Sequence, residues 1–401
     1  MALPAKATHR QTRAHNQGLV LRTLYDRGPI SRAEVARITG LTRTTVSALV
    51  SEFLAEGLAC EVGRGPSSGG KAPILVQVDG NARHVIGVDL GEQAFSGAVV
   101  NLSGEIQRTA SEPIRGRDGE TALDALYRLI DALASDESGT LLGIGVGTPG
   151  IVDTENGTIL WAVNLDWQNL PLGLLLRNRY DVPTYVANDS RAAALAEYLF
   201  AGGGRAANLI VIKVGHGIGA GFVLGGELFH GDGFGAGEIG HTVVVDDGDE
   251  CRCGRFGCLE TVASSRAILA DASDAAAAEP GSRLGRALAT NGELTIDDIR
   301  SAVQDGDESA RRVVVAAGRF LGQAVAALIG ALNIERIVLI GSVAALGDPW
   351  LEAVRDEAGR RSLGLLGRAT RIDIGRTSED EVVLGASALL MSRELGLVPV
   401  R

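Results

Sequence analysis

Residues 238–260 read EIGHTVVVDDGDECRCGRFGCLE, and this stretch decides how the whole sequence is interpreted. Three thiols, Cys251, Cys253 and Cys258, lie within eight residues, and His241 lies ten residues before the first of them. Three thiolates and one imidazole form a complete tetrahedral ligand set for Zn²⁺, and closed sets of this kind are structural rather than catalytic. Packed core thiols are the alternative, but the neighbouring glycines and charged residues disfavour it. We therefore predict one structural Zn²⁺ per chain.

Two carboxylates flank the predicted metal loop, Glu238 on one side and Glu260 on the other. A bound metal would fix the loop, and would thereby hold these carboxylates and the second ring nitrogen of His241 in place for a ligand. Another polar pair, Asn188 and Asp189, follows an apolar strand and precedes a helix. Such groups suit a polyhydroxylated ligand, yet Asp189 or Ser190 could equally be the N-cap of the helix. The residues alone leave both interpretations of this pair open, and solvated surface side chains remain an alternative for the two glutamates.

A strand, a glycine-containing turn and a second strand occur twice in the chain, first over 85–102 and again over 209–226. The second copy contains the run GHGIGAG at 215–221, which we interpret as a loop whose backbone amides can approach a ligand. Between the copies, GTPG at 147–150 follows an apolar strand. The repetition predicts a duplicated α/β body with a cleft between two lobes.

The first eighty residues differ from the rest in charge and in pattern. They carry ten Lys/Arg and six Asp/Glu, whereas the whole chain has a net charge of −11. Helical periodicity over 16–26, a capping-box spacing from Ser31, the turn at Gly40 and a third periodic run predict a helix-turn-helix unit. The second helix of such a pair enters the major groove of DNA. Its exposed start carries short donors and one guanidinium, at Thr42, Arg43, Thr44, Thr45 and Ser47.

A hairpin follows, with strands over 58–62 and 74–78 and a basic, glycine-rich tip over 63–71. This pattern is typical of a wing, and it would place Arg64 and Lys71 beside the DNA backbone or in the minor groove. A small helical protein-docking domain is the alternative, but such a domain would more often show an exposed apolar stripe. We therefore predict a winged helix-turn-helix domain whose partner is double-stranded DNA.

Several of these segments resemble the ROK family, which contains repressors and sugar kinases. Residues 238–241 resemble its sugar-binding E-x-G-H motif, and 251–260 match its C-x-C-G-x-x-G-C-x-E zinc signature at every fixed position. Residues 147–150 and 164–165 resemble further sugar-contact segments, and 188–189 resemble the pair whose aspartate is the general base in the kinases. The sugar-binding residues that this resemblance implies are Gly150, Asn164, Asn188, Asp189, Glu238, His241 and Glu260.

The resemblance implies an α/β actin-like (ribonuclease H-like, duplicated) two-lobed sugar-kinase fold, preceded by an α+β winged helix-turn-helix domain. It also implies that the sugar binds between the lobes and that the last helix, about 384–395, returns to the first lobe. We expect the DNA-binding domain at 1–80, the first lobe at 81–190 plus 384–401, and the second lobe with its zinc loop at 191–383.

The sequence departs from the kinase members of the family at two motifs on the nucleotide side. Their first phosphate loop has the form D-x-G-G-T-K, whereas residues 89–94 read DLGEQA, so Glu92 replaces a glycine and adds a carboxylate near the nucleotide. Two like unit charges about 4 Å apart repel by roughly 4 kcal/mol at an effective dielectric of about 20. The adenosine-side turn keeps Gly341 but has Ser342 in place of a second glycine. We therefore predict no kinase activity, with Asp189 at a vestigial general-base position.

The predicted function is a sugar-responsive, DNA-binding regulator of carbohydrate metabolism genes, a repressor whose partners are an operator and a small sugar or sugar-derivative effector. One alternative is a sugar kinase with a DNA-binding head, which Asp189 and the run at 215–221 favour. Another is a regulator with a vestigial sugar site that a protein partner controls. No uninterrupted apolar run of about 18 residues and no secretory segment is visible. We therefore expect a cytoplasmic protein with no membrane partner, and the resemblance to the ROK family implies a homodimer or homotetramer.

Overall fold

The first part of the chain folds as a winged helix-turn-helix head. A computed structural model gives the fold, and it describes residues 9–66, 72–114, 116–135, 141–200, 207–375 and 380–397. The second helix begins where the Ser31 side chain accepts from Glu34 N at 3.2 Å, and it ends where Gly40 adopts a left-handed φ of 70°. The helices are α1 (His9–Arg27), α2 (Arg32–Thr39) and α3 (Arg43–Ala55), and β1 (Ile30–Ser31), β2 (Ala59–Arg64) and β3 (Ile74–Val78) form a sheet in the order β1-β3-β2.

Two details of the head differ from the prediction. The first helix begins seven residues earlier than the predicted 16–26, and β2 continues to Arg64, so Arg64 lies in a strand rather than in the tip. Lys71, which was predicted to contact DNA from that tip, lies outside the described residues. The predicted plan of three helices followed by a hairpin is otherwise the one observed.

A mixed five-stranded sheet forms the first lobe. The elements are β4 (His84–Leu90), β5 (Ala94–Asn101), β6 (Ile106–Pro113), α4 (Gly119–Ala134), β7 (Leu141–Thr148), β8 (Ile151–Asp153), β9 (Thr158–Ala162), β10 (Trp167–Leu170), α5 (Leu172–Tyr180) and β11 (Thr184–Asn188). The main sheet has the order β11-β7-β4-β5-β6, and β8 to β10 form a separate small sheet. The central strands of the five-stranded sheet are apolar because both of their faces are buried, as Ile86 in β4 and Ile144 in β7 illustrate.

The second lobe repeats this topology. Its elements are α6 (Asp189–Leu199), β12 (Leu209–Val214), β13 (Ile218–Leu224), β14 (Glu227–Phe229), α7 (Glu260–Ala263), α8 (Ser265–Ala278), α9 (Arg283–Asn291), α10 (Ile296–Gln304), α11 (Glu308–Leu332), β15 (Arg336–Ile340), α12 (Asp348–Arg361), α13 (Gly364–Ala369) and β16 (Arg371–Ile374). The sheet order is β14-β13-β12-β15-β16, with an antiparallel hairpin series at one end and parallel strands at the other, as in the first lobe. The predicted duplicated α/β body is therefore present.

The last helix, α14 (Glu381–Leu395), returns to the first lobe and packs across β4 and β7. It lies very close to both lobes. A Cβ on Gly145 of β7 would lie 2.1 Å from Ala386 O, and a Cβ on Gly385 would lie 1.7 Å from Ala192 O of α6. Only glycine fits at either position, so these two contacts fix the helix against the sheet on one side and against α6 on the other.

The DNA-binding head and the first lobe share one hydrophobic core. Val20 and Leu24 of α1 belong to the same buried cluster as Val85 and Val100 of the first sheet and Leu389 of α14. The head is therefore packed on the lobe rather than suspended from a loose linker, and a movement of α14 acts on the surface that supports α1.

The long helix α11 is, among the described residues, long and apolar enough to cross a membrane by length and composition alone. The sequence shows no uninterrupted apolar run there because Arg319 and Gln323 break it. Half of its most apolar window is buried in the protein, where Leu321, Val325 and Ile329 pack in the core of the second lobe. Packing inside the lobe accounts for the apolar composition of this helix.

We predict that Gly385→Ala destabilises the protein, because the new methyl group collides with a backbone carbonyl that cannot rotate away. Overpacking of this kind costs about 1–3 kcal/mol, which lowers Tm in a thermal melt by several degrees. The matched control is Gly330→Ala in α11, where a Cβ has nothing within 4 Å. That change should leave Tm unchanged or raise it slightly, and equal effects of the two substitutions would contradict the packing argument.

Candidate functional site

Four metal-ligating side chains come together in the loop between β14 and α7. The ligand atoms of His241, Cys251, Cys253 and Cys258 all lie within 4.8 Å of one another. Cys251 Sγ lies 3.5 Å from His241 Nδ1, and Cys253 Sγ lies 3.7 Å from Cys258 Sγ. A tetrahedron with Zn–S bonds of about 2.3 Å has edges of about 3.8 Å, so this spacing fits a single ion. The predicted cluster is therefore present as a possible metal site with four protein ligands.

Tight backbone turns bring the cysteines of this loop together. Gly257 has a φ of 71°, and a Cβ there would lie 1.8 Å from Val245 O, so no other residue fits. Cys251 N donates to Arg255 O at 2.7 Å, which closes the turn between the first and last ligands. Burial and the neighbouring thiols raise the pKa of Cys258 to about 12. A metal that binds here therefore displaces protons, and its affinity rises with pH.

The two predicted carboxylates lie on either side of the metal loop. Glu260 begins α7, and Ile218 N donates to its Oε2 at 3.1 Å, which ties the loop to the second sheet. Glu238 precedes the 3₁₀ turn that carries His241, and its carboxyl accepts no hydrogen bond from the described residues. Burial, together with the charge of Asp189, raises the pKa of Glu238. Of the two, Glu238 is the carboxyl that remains open to a ligand.

The helix cap that the sequence analysis assigned to Asp189 or Ser190 is formed by the preceding residue instead. Asn188 is the N-cap of α6, because its Oδ1 accepts from Ser190 N at 3.0 Å. Its Nδ2 donates to Gly150 O at 3.1 Å, and Gly150 has a φ of 90° at a point where a Cβ would lie 2.1 Å from Trp161 O. The cap is thus the asparagine, which also positions the predicted sugar-contact turn.

The Asp189 side chain makes an ion pair that sequence reasoning missed. Lys213 Nζ of β12 lies 2.7 Å from Asp189 Oδ2, and both side chains are mostly buried. Although burial opposes the charged form, Asp189 and Asp89 raise the pKa of Lys213 above its ordinary value. Burial raises the pKa of Asp89 to about 6, with Lys213 acting against this shift. The sequence does contain a signal for this ion pair, a single lysine in the otherwise apolar strand LIVIKV, but it does not predict which carboxylate pairs with the lysine.

Glu92 is not the free carboxylate that the sequence analysis assumed. Arg252 of the metal loop donates two hydrogen bonds from its Nη1 atom, one to Glu92 Oε1 at 3.0 Å and one to Asn164 Oδ1 at 2.8 Å. His216 Nδ1 lies 3.9 Å from the other oxygen of Glu92. The predicted repulsion of a nucleotide by an isolated charge at Glu92 therefore does not hold. We call this arrangement of Arg252, Glu92 and Asn164 the Arg252 bridge, since it joins the metal loop of the second lobe to the first lobe.

The glycine run at 215–221 is only partly a loop, which corrects the prediction. β13 begins at Ile218, so Gly219 and Gly221 lie in a strand. A Cβ on Gly219 would lie 2.3 Å from Ser190 Oγ, and one on Gly221 would lie 2.3 Å from Ala194 Cβ. These two glycines allow β13 to approach α6 closely. Their presence is explained by strand–helix packing, and it therefore does not favour a phosphate-binding loop.

The predicted DNA-reading face is the exposed start of α3. Thr42 is its N-cap, with Oγ1 accepting from Thr45 N at 3.2 Å, so this side chain has a structural role as well as a predicted one. Arg43, Thr44 and Ser47 are exposed, while Val46 and the other apolar residues of α3 are buried. Arg64 at the end of β2 is also exposed. The face is therefore free to enter a major groove, with the wing strand beside it.

Comparison with known proteins identifies the two parts of the chain. The sequence model of the ROK family matches residues 85–393. The chain belongs to the ROK family. The sequence model of the MarR family matches residues 12–64, which cover the three helices and β2 of the head. The predicted family and the predicted fold, a two-lobed body behind a winged helix-turn-helix, are confirmed.

Relatives of this ROK protein include both repressors and kinases. A xylose repressor from Caldicellulosiruptor bescii is 34% identical over 382 residues, which are 94% of this chain and 95% of that protein. A glucokinase from Halalkalibacterium halodurans is 34% identical over 318 residues, which are 78% of this chain and 96% of that protein. A solved ROK family transcriptional regulator, a homolog of E. coli MLC protein, is 29% identical with a TM-score of 0.84, covering 96% of this chain and 98% of that one.

The extent of these matches separates the two kinds of relative. The repressor and the solved regulator are matched over nearly their whole length and over the head of this chain, whereas the glucokinase matches 78% of the chain. The protein is therefore a ROK transcriptional regulator with a DNA-binding head, as predicted.

We predict that the purified protein binds one metal ion per chain and that Cys253→Ala abolishes this binding, because three ligands hold the ion far more weakly than four. Elemental analysis and a chromogenic chelator assay measure the bound metal. Cys60→Ala is the control, since Cys60 lies in β2, outside the cluster. A full metal content in the Cys253 variant, or none in the wild type, would contradict the assignment.

We predict that Arg43→Ala weakens operator binding by about tenfold, with the operator selected from a random DNA library. The reason is that two hydrogen bonds from one guanidinium to one base contribute about 1–3 kcal/mol. Fluorescence anisotropy at fixed salt gives the Kd. Arg22→Ala removes one charge from α1 without altering α3 and controls for general electrostatics. If the Arg43 variant binds as tightly as the control, this residue is not part of the reading face.

Proposed function

We propose that this ROK regulator is a cytoplasmic repressor that binds a small, neutral sugar between its lobes and changes its affinity for an operator in response. The proposal is carried by the carboxylates of Asp189 and Glu238, which lie close enough to interact electrostatically, beside a metal loop that contacts the first lobe through Arg252 and Glu92. Carboxylates accept two hydroxyl hydrogen bonds each, which suits the adjacent hydroxyls of a sugar. The repressors among its relatives are matched over 94% of the chain or more.

The sugar-binding residues of this proposal are those that the family resemblance implied. Asn188 and Gly150 are already joined by a hydrogen bond, so they form a rigid wall rather than two separate contacts. The Oδ1 of Asn164 is taken by Arg252, which leaves its amide nitrogen for a ligand. The remaining acceptors and donors are on Asp189, Glu238, His241 and Glu260.

The metal of the proposal is a structural Zn²⁺. The cluster offers three sulfur ligands and one nitrogen ligand, a donor set that selects zinc over hard cations. All four positions are filled by protein, so no position is left for a substrate or a water. The metal would fix the loop that carries Glu238, Arg252 and Glu260.

Absence of kinase activity is part of the proposal. The loop between β4 and β5 carries Glu92, which binds Arg252 rather than presenting free amides to a phosphate. On the nucleoside side, Gly341 approaches Val214 O so closely that a Cβ would lie 2.6 Å away, and Ser342 follows it in a 3₁₀ turn. The kinase alternative is favoured by one observation, the 34% identity to a glucokinase.

The response to sugar would act through the relative position of two DNA-binding heads. A symmetric dimer reads half-sites about 34–36 Å apart, so a small rotation of either head prevents simultaneous docking. Sugar shifts this equilibrium only as far as its affinities for the two states differ. A homodimer or homotetramer therefore belongs to the proposal, and the mass of the protein in solution tests it.

We predict that one sugar from a panel of xylose, glucose and other hexoses, including N-acetylated ones, changes the operator Kd of the wild type, and that Glu238→Gln removes this response. The substitution keeps the shape of the side chain but removes the charged acceptor. Fluorescence anisotropy with labelled operator measures the Kd at each sugar concentration. Glu293→Gln, at an exposed position outside the cleft, should respond as the wild type does.

Two outcomes would count against this proposal. If no sugar in the panel changes operator binding while calorimetry shows no saccharide binding, the cleft is vestigial and a protein partner controls the regulator. If a coupled assay detects robust release of ADP with any sugar, the protein is a kinase with a DNA-binding head.

A further inference from the structure

Lys213 is a charged residue in a strand that otherwise carries none. The other five residues of β12 are buried and apolar, and they pack on both sides of the second sheet. The chain uses arginine for nearly all of its cations and has three lysines, of which Lys213 is the one that the described residues include. An ammonium in such a strand is unfavourable unless carboxylates compensate its charge.

Carboxylates from three elements surround this ammonium. Asp189 at the start of α6 binds it directly, with 2.7 Å between Oδ2 and Nζ. Asp89 near the end of β4 and Glu381 at the start of α14 also act on it electrostatically. Both of these elements pack in the first lobe, so Lys213 is the point where a cation of the second lobe meets carboxylates held by the first.

Asp89 has fewer hydrogen bonds to its carboxylate than Asp189 has. Its Oδ1 is buried and accepts no hydrogen bond from the described residues. Burial raises its pKa to about 6, and the charge of Lys213 is what counteracts this shift. Lys213 therefore binds Asp189 directly and acts on Asp89 only from a longer distance, which leaves Oδ1 of Asp89 without a hydrogen-bond partner.

Two facing carboxylates with an unsatisfied oxygen are what a divalent cation such as Mg²⁺ or Ca²⁺ binds. In phosphoryl transfer, a metal at such a place bridges carboxylates and phosphates. Lysine suits the same place because its ammonium is a compact point charge with three donors, whereas the planar guanidinium of arginine is wider. This difference accounts for a lysine in a chain that otherwise prefers arginine.

We propose that the Lys213 ammonium, bound to Asp189 near the buried and unpartnered Oδ1 of Asp89, supplies the positive charge that a divalent cation would otherwise supply beside these two aspartates, so that the cleft holds its sugar without metal or nucleotide. Lys213 is then a positioning residue. It fixes Oδ2 of Asp189, while Ser190 N fixes Oδ1 at 2.7 Å. Oδ1 also accepts from Ser190 Oγ at 3.3 Å, so Oδ2 is the oxygen of Asp189 that keeps a lone pair to accept from a sugar hydroxyl. The sugar part of this inference rests on the proposed function, while the cation part does not.

The experiment uses full-length protein with its metal loop loaded, and the probe is Mn²⁺, whose free concentration is measured by electron paramagnetic resonance. The wild type should bind no Mn²⁺ in the cleft. Lys213→Met removes the charge at similar length, and this variant should gain one Mn²⁺ site per chain. The double variant that adds Asp89→Asn should lose that site again. Lys213→Arg retains a positive charge and should bind no Mn²⁺.

A second measurement follows sugar binding by calorimetry, using whichever panel sugar shifts operator binding of the wild type. Lys213→Met should lower the affinity for that sugar by about tenfold or more, because a buried carboxylate loses its partner. Millimolar Mg²⁺ should restore most of the lost affinity. Wild-type affinity should not depend on Mg²⁺. Rescue by a divalent cation distinguishes a positioning role from a general loss of structure.

Three results would overturn the inference. They are a wild type that binds Mn²⁺ at Asp89, a folded Lys213→Met variant with no Mn²⁺ site, and a loss of sugar affinity that Mg²⁺ does not restore. If Lys213→Met does not fold, Lys213→Gln keeps a hydrogen bond to Asp189 and takes its place in each assay. If no sugar binds the wild type, the proposed function fails, but the Mn²⁺ measurement still decides the role of Lys213.

Discussion

The contact between α6 and α14 is the constraint on which the other features of the structure depend. At Gly385 the two helices approach so closely that no side chain fits against Ala192 O. The first of these helices begins at Asp189 in the cleft, and the second ends beside the head, where a Cβ on Gly396 would lie 3.4 Å from Gly18 Cα. Closely packed interfaces shift between discrete arrangements rather than deform continuously. The start of α6 at Asp189 is therefore connected to α1 by the packing of a single pair of helices.

The metal loop contributes a second connection between the lobes, and its strength is modest. The side chain of Arg252 is 44% exposed, and exposed ion pairs contribute about 0–1 kcal/mol. The Arg252 bridge is thus too weak to hold the lobes together against a ligand that prefers another arrangement. It is strong enough, however, to bias a cleft whose two states differ little in free energy. A metal in this loop would act on the contact between the lobes only indirectly, because it would fix the backbone from which Arg252 reaches Glu92 and Asn164.

The sequence predicts those features that depend on local spacing. The ligands Cys251 to Cys258, the cap at Thr42 and the turn at Gly40 are determined by neighbours in the chain, and all are found where expected. Contacts between distant segments could not be predicted in the same way. Lys213 and Asp189 are 24 residues apart, and Arg252 and Glu92 are 160 apart, so only the folded topology brings them together. The glycines at 219 and 221 were misread for the same reason, since the helix that they accommodate is distant in sequence.

Charge balance in the cleft separates a regulator from a kinase more clearly than any single substitution does. Phosphoryl transfer needs cations that are free to neutralise a triphosphate and its transition state. Among the described cations near the cleft, Lys213 is paired with Asp189 and Arg252 with Glu92, whereas the buried guanidinium of Arg191 keeps two nitrogens without a hydrogen-bond partner. A nucleotide would add further negative charge beside Asp89 and Glu238, and neither Lys213 nor Arg252 would be free to neutralise it. A neutral sugar adds no charge and needs acceptors for its hydroxyls, which the same carboxylates supply. In the proposed function, the pairing of Lys213 and Arg252 thus disfavours a nucleotide, while the same carboxylates serve a neutral effector.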